Sequence, residues 1–251
     1  MYRVNYETIV KERAEFMGVN SAAFVPFSTS NVDGSHILHL YKSVLAMQNG
    51  SDIDDYVIDD NNKVEKFLKG FSSGTKVLLL GTGTGREVLV AKEMGYVAVG
   101  TTLGRKNILF GRQILGLTEE EIIECNNDAL PLASGYFDVV AGFQVVEHSI
   151  APLLFVLEQT RVLRTGGLLL FEWPPSKLFN MDENPHHQIC FAPGQLESLF
   201  KKAGLVNIKL FYDDLSSICE DDKWRCDQNK MLCISGIKAP SQQRYINDCR
   251  Y

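Results

Sequence analysis

No stretch of this chain holds the ~18–20 consecutive apolar residues that a membrane-spanning helix needs, so a membrane is not an expected partner. The opening run, MYRVNYETIVKERAEF, has charges interrupting its apolar residues and lacks the core of a secretory signal. Basic charge is scarce as well: 25 Lys and Arg stand against 31 Asp and Glu, a net of −6. No general positive field favours a phosphate backbone, which argues against nucleic acid as substrate. A cytoplasmic location is the expectation. The six cysteines form no CxxC pair. Cys219, Cys226 and Cys233 recur every seven residues, but Cys233 sits in a strand-like run, KMLCISGIKA, so the cysteines read as reduced thiols. The acidic stretch from Asp52 to Asp60 lacks the glycine pattern of an EF-hand and reads as a solvated loop.

What is present is an alternation. From residue 76, short and nearly continuous apolar runs (KVLLL, YVAVG, EIIECNND, YFDVVAGF, GLLLFEW) are separated by amphipathic helical segments. Strands of that kind are buried on both faces, which implies a parallel sheet covered by helices. The helical segments are REVLVAKEM, stopped by Gly95; NILFGRQILG, weakened by Gly111; APLLFVLEQTRVLR, stopped by Gly166-Gly167; and PGQLESLFKKAG. Near the end, VNIKLFYDD and KMLCISGIKA lie close together with no convincing helix between them, as an antiparallel final pair would. The expected fold is α/β: a doubly wound, Rossmann-like, mostly parallel seven-stranded sheet with an antiparallel last strand. Residues 1–70 read as a helical cap, 71–240 as the main domain and 241–251 as a tail.

In open α/β sheets, ligands sit beyond the carboxyl ends of the strands. Here those ends carry Gly81-Thr82-Gly83-Thr84-Gly85, Thr101-Thr102, Asn127-Asp128-Ala129, Phe143-Gln144 and Glu172-Trp173. Polar or small groups at all five ends describe one crevice. The glycines run GxGxG, with Arg86 where a dinucleotide fingerprint has its third glycine. By itself that spacing fits either a nucleotide-like ligand at a helix N-terminus or merely a tight strand-to-helix turn.

Taken in order, VLLLGTGTG, NNDALPLASGYFDVV, VVEH and RVLRTGGLLLF resemble class I S-adenosylmethionine-dependent methyltransferases, the broad group that includes the ubiquinone-pathway enzymes. The likeness covers roughly 70–210. It implies that S-adenosylmethionine is the cofactor, held by Gly81, Thr82, Gly83, Gly85, Thr102, Asp128, Ala129, Phe143 and Gln144. Asp128 would meet the adenine, with Phe143 and Gln144 near the methionine or sulfonium side. Two positions depart from the pattern: Leu79 replaces a common Asp in the first strand, and Thr102 replaces the acid that usually takes both ribose hydroxyls. A carboxylate accepts two hydrogen bonds from a diol, and a hydroxyl is a weaker substitute. That leaves a non-catalytic binding protein as an alternative. An NADP-binding reductase is another, with Arg105 and Lys106 taking a 2′-phosphate.

Candidate chemistry gathers in FQVVEHSIAP, which carries Glu147-His148, and in NPHHQICFAP, which carries His186-His187. Methyl transfer to oxygen or carbon needs a proton removed from the acceptor, by a base or by a metal that lowers its pKa. The ubiquinone-pathway O-methyltransferases and the small-RNA 3′-end 2′-O-methyltransferases carry E-x-x-E-H at the first position. The latter bind a divalent metal with a further histidine four residues before an aromatic. Glu147, His148 and His187 match, while Gln144 replaces the first glutamate. A catalytic base, a divalent metal site (not favoured) and a structural pair all remain open. His36 and His39, one turn apart, read as ordinary surface histidines. Trp173, between a strand and two prolines, reads as a wall of the acceptor pocket. The expected reaction is methyl transfer to a small-molecule acceptor, with O-methylation slightly preferred over N or C. An RNA 2′-hydroxyl is disfavoured by the acidic balance.

Overall fold

The computed structural model describes residues 63–176, 187–218, 227 and 229–240. Most of the expected cap, the loop around His186, Cys219 and Cys226, and the 241–251 tail lie outside the described residues, as do His36, His39 and the Asp52–Asp60 stretch. Among the described residues there are seven strands: β1 (Lys76–Leu80), β2 (Val97–Thr102), β3 (Ile122–Glu124), β4 (Phe137–Phe143), β5 (Leu163–Trp173), β6 (Leu205–Tyr212) and β7 (Leu232–Lys238). They form one sheet in the order β3-β2-β1-β4-β5-β7-β6. The described pairings up to β5 are parallel, and β7 runs antiparallel to both β5 and β6. This is the expected α/β architecture. The described helices are α1 (Lys63–Leu68), α2 (Arg86–Glu93), α3 (Arg105–Gln113), α4 (Pro152–Val162) and α5 (Pro193–Lys202). By internal contacts the described chain divides into two units: residues 63–74 with 82–124, and residues 75–81 with those from 125 onward.

In the first unit, α1 to α3 accompany the parallel pair β2–β3, whose register sets Gly100 opposite Ile122 and Thr102 opposite Glu124. Helix α2 ends where Gly95, at φ +85°, turns the chain and donates to Lys92 O. The Tyr96 hydroxyl donates to Leu68 O, tying β2's approach to α1. Gly111, which weakens the sequence pattern of a helix, lies inside α3 for a steric reason. A Cβ there would stand 2.7 Å from Thr84 O and 2.9 Å from Ile122 Cδ1. The first neighbour is backbone of the glycine turn and cannot rotate away. Gly111→Ala is therefore expected to destabilise the protein by about 1–3 kcal/mol through overpacking, despite alanine's better helix propensity. Thermal unfolding should show a Tm lower by roughly 3–10 °C; an unchanged Tm would refute the close approach.

In the second unit, β1 and β4 are apolar throughout their centres because both faces are covered: Val77, Leu78, Leu79, Val139, Val140 and Ala141 are all buried. Leu79 thus belongs to the core. Phe171 of β5 meets Phe155 of α4 at a tilt and Phe200 of α5 edge to face, each at a 5.5 Å centroid separation, joining helix, sheet and helix. The sequence pattern extends α4 to Arg164 and stops it at Gly166-Gly167. In the structure α4 ends at Val162, and the glycines lie within β5. Leu163 pairs with Phe137, the next pair is Leu168 with Val139, and the register shifts between them. Gly166 adopts φ +75°, and a Cβ on Gly167 would come within 2.9 Å of Asp138 O. These glycines make a bulge rather than a helix cap.

Candidate active site

The glycine turn follows β1. Gly81, Gly83 and Gly85 have φ of +66°, +50° and +92°, conformations that β-carbon-bearing residues avoid. Within the first unit, Thr82 N donates to Thr101 O at 2.8 Å and Gly85 N to Thr82 O at 2.8 Å. Gly85 is the N-cap of α2, with no side-chain cap on the helix's first amides. At the end of β2, Thr102 is buried, and its hydroxyl lies 3.3 Å from Leu103 O and 3.4 Å from Asn107 Nδ2. Asn107 also donates to Leu103 O at 3.2 Å. A carboxamide from the first turns of α3 therefore backs the hydroxyl at Thr102. Sequence reasoning missed Asn107; the available signal was an amide five residues after a strand end that lacks its acid.

In the second unit, a Cβ on Gly81 would come 2.6 Å from Val145 Cγ2, so this turn residue has no room for a side chain. The segment after β3 carries Asp128 and Ala129. Asp128 Oδ1 accepts from Ser149 Oγ at 2.9 Å, and Asp128 N donates to Asn126 Oδ1 at 3.0 Å, an Asx turn. Phe143 closes β4 half-buried; Gln144 follows, exposed and at φ +55°, with its N–H donating to Glu172 O at 2.8 Å. The left-handed turn at Gln144 redirects the chain into the 3₁₀ turn Val146–His148.

That turn places Glu147 wholly inside the protein. Its carbonyl accepts from two consecutive amides, Gln188 N at 2.8 Å and Ile189 N at 3.1 Å. The main chain after residue 186 is thereby pinned against the turn, and His187 arrives beside His148. The two imidazole centroids lie 4.9 Å apart at 56°. One ligand atom from each of Glu147, His148 and His187 lies within 4.8 Å of the others. So the structure brings together the three residues that the sequence singled out from segments forty positions apart.

Trp173 does not line a pocket. Its side chain is fully buried at the end of β5, and Nε1 donates to Phe191 O at 3.0 Å. It pegs the segment that carries His187, because an indole inside a core needs a partner for its N–H. Cys233 is buried in β7, as its run suggests. Burial pushes the Cys125 thiol up to about 11, so it stays protonated and weakly nucleophilic at neutral pH. Two further side chains were invisible to sequence reasoning. Glu158 and Arg161 of α4 pair at 2.8 Å and bond the loop after Asp128. Arg161's hydrogen bonds hold the Glu158 carboxyl below the usual range, against burial that would raise it.

Comparison with known proteins finds relatives for part of this chain. Residues 78–171 match a family model described as a methyltransferase domain. Over that segment the chain is similar to S-adenosylmethionine-dependent methyltransferases. Over 94 residues it is 36% identical to a probable S-adenosylmethionine-dependent methyltransferase of Mycobacterium tuberculosis (strain CDC 1551 / Oshkosh), a match spanning 36% of this chain and 34% of that relative. A second probable S-adenosylmethionine-dependent methyltransferase, from Mycolicibacterium smegmatis, is 38% identical over 79 residues, or 30% of this chain and 31% of its own length. The chain thus aligns with only about a third of the length of these curated relatives. A crystal structure of a methyltransferase from Archaeoglobus fulgidus superposes with a TM-score of 0.56 over 70% of this chain and 91% of its own, at 17% identity. That likeness shows the fold. The matched segment contains the glycine turn, Asp128, Glu147 and His148, whereas His187 lies beyond it. Among the described residues, no helix is long and apolar enough to cross a membrane.

Proposed function

We propose that this chain moves the methyl group of S-adenosylmethionine to a small protic acceptor, preferentially at oxygen, and that Glu147, His148 and His187 handle the acceptor's proton. The observation that carries this reading is the convergence of one buried carboxylate and two imidazoles within 4.8 Å of one another. An imidazole is a competent general base near neutral pH, and here two lie close to a buried carboxylate.

The residues at the glycine turn and the Asp128 loop suit the nucleoside. A turn without β-carbons at residues 81, 83 and 85 lets main-chain amides approach a bound amino-acid moiety. Asp128, held through one oxygen by Ser149, would accept from an adenine amino group. Thr102 and Asn107 would stand in for the missing ribose acid. Bound S-adenosylmethionine supplies a methyl group on a sulfonium, activated for in-line displacement. The protein's own work is to orient the acceptor, which in favourable cases contributes ~7–11 kcal/mol, and to take its proton.

A second reading keeps the same three side chains as ligands to a divalent cation. Two imidazoles and a carboxylate are a borderline donor set suited to zinc, manganese or iron. Gln144, exposed one turn before, offers a neutral oxygen rather than a second carboxylate. The test is methyl transfer across a panel of phenols, catechols and carboxylic acids, run before and after dialysis against a chelator. S-adenosylhomocysteine release that survives dialysis supports the acid–base reading. Loss on dialysis and recovery with one added cation favours the metal. No release with any acceptor counts against both.

A further inference from the structure

We propose that helix α4 is a clamp that sets cofactor affinity: Gln159 and Arg161 are positioning residues that hold the Asn126–Ser134 loop in the shape that presents Asp128. This rests on the reading that Asp128 meets the adenine of the cofactor.

The loop between β3 and β4 contains only turns. Inside the loop, Asp128 N donates to Asn126 Oδ1 and Ala129 N to Asn126 O, both at 3.0 Å. Among the described residues, α4 and its approach supply further bonds. Gln159 Nε2 donates to Asn127 O at 2.7 Å. Glu158 Oε1 accepts from Leu130 N at 2.7 Å. Arg161 donates to Leu130 O at 3.0 Å, and to Leu132 O and Ser134 Oγ at 2.9 Å each. Bonds to the main chain at 127, 130 and 132 bracket Asp128 and fix the loop in register. A guanidinium suits the task because its planar fork can serve several carbonyls at once.

Gln159 shows that more than stability is at stake. Its side chain is wholly buried, yet Oε1 has no hydrogen-bond partner among the described residues. Burying an unsatisfied acceptor is unfavourable, and replacing such a group with an apolar residue of similar shape can be neutral. A core chosen for stability alone would favour leucine or methionine here. The amide earns its place through the one bond it makes, to the carbonyl preceding Asp128.

The experiment is calorimetric titration of the full chain with S-adenosylhomocysteine, paired with thermal unfolding, for wild type, Gln159→Leu, Arg161→Lys, Arg161→Met and Asp128→Asn. Gln159→Leu should raise Kd by about 5–20-fold with little change in Tm. Affinity should fall in the order wild type, Arg161→Lys, Arg161→Met, since lysine restores some of the carbonyl bonds. In the Asp128→Asn background, Gln159→Leu should add almost nothing, because both act through one contact. A folded Gln159→Leu protein with wild-type Kd overturns the clamp, as does a full additional loss in the Asp128→Asn background. Should Arg161→Met fail to fold, Gln159→Leu and Arg161→Lys decide the matter. Wild type that ignores S-adenosylhomocysteine overturns the cofactor reading itself, a result distinct from failure of the clamp.

Discussion

Gly83→Arg is expected to abolish S-adenosylhomocysteine binding in a protein that still folds. Gly83 sits at φ +50°, between the Thr82 amide that bonds Thr101 O and the Gly85 amide that bonds Thr82 O. A residue with a β-carbon at that φ loses roughly 1–2 kcal/mol, which a domain of this size can absorb in part. The larger effect is occupancy. Arginine brings a long chain and a positive charge to the place where the proposed cofactor, which carries a sulfonium, would lie close to the main chain. Kd should rise more than about a hundredfold, equivalent to about 2.8 kcal/mol of binding free energy. The control is Gly83→Ala, which carries the backbone strain without the bulk and should weaken binding by less than about tenfold. Calorimetry on both variants, with circular dichroism to confirm folding, decides it. Undiminished binding in folded Gly83→Arg would remove the glycine turn from the cofactor site.

The second large effect concerns Glu147→Gln. Glutamine preserves the volume of this wholly buried side chain and removes its charge. If the carboxylate orients and charges the His148–His187 pair, turnover should fall by about 10²–10⁴-fold, the range that general acid–base catalysis contributes. Affinity for S-adenosylhomocysteine should stay within about twofold, since Glu147 is not among the groups assigned to the cofactor. His187→Ala should produce a similar loss, with partial recovery on adding free imidazole. The competing structural role predicts the reverse pattern: a lower Tm and unchanged turnover for the molecules that remain folded. Measuring kcat, Kd and Tm on the same samples separates the two.

The sheet and the glycine turn were legible because they rest on local rules. Continuous apolar runs mark strands covered on both faces, and the missing β-carbons at Gly81, Gly83 and Gly85 mark a turn that requires positive φ. The final antiparallel pair was readable from two strand-like runs with no helix between them. Gly111 and Gly166-Gly167 misled because a glycine's meaning depends on what approaches it. One meets the backbone of Thr84 from inside a helix, and the others shape a bulge inside a strand. Trp173 misled in the same way, since flanking prolines suggested an open loop while its N–H had a buried carbonyl to satisfy.

In the candidate site, Glu147, His148 and His187 could be picked out through a motif, but their meeting depends on tertiary hydrogen bonds that no local pattern encodes. Asn107, Ser149, Gln159 and Arg161 were missed for a related reason. Each acts by bonding main chain or another side chain, and such partners are defined only once the chain has folded.

The pairing of Gln188 and Ile189 amides on a single carbonyl has a consequence for tolerance to change. Amide hydrogens, which every residue but one possesses, help to hold His187 near His148. Any substitution at 188 or 189 that keeps an amide hydrogen leaves these two bonds available. Proline is the forbidden letter at both places, for it alone arrives without a hydrogen to give.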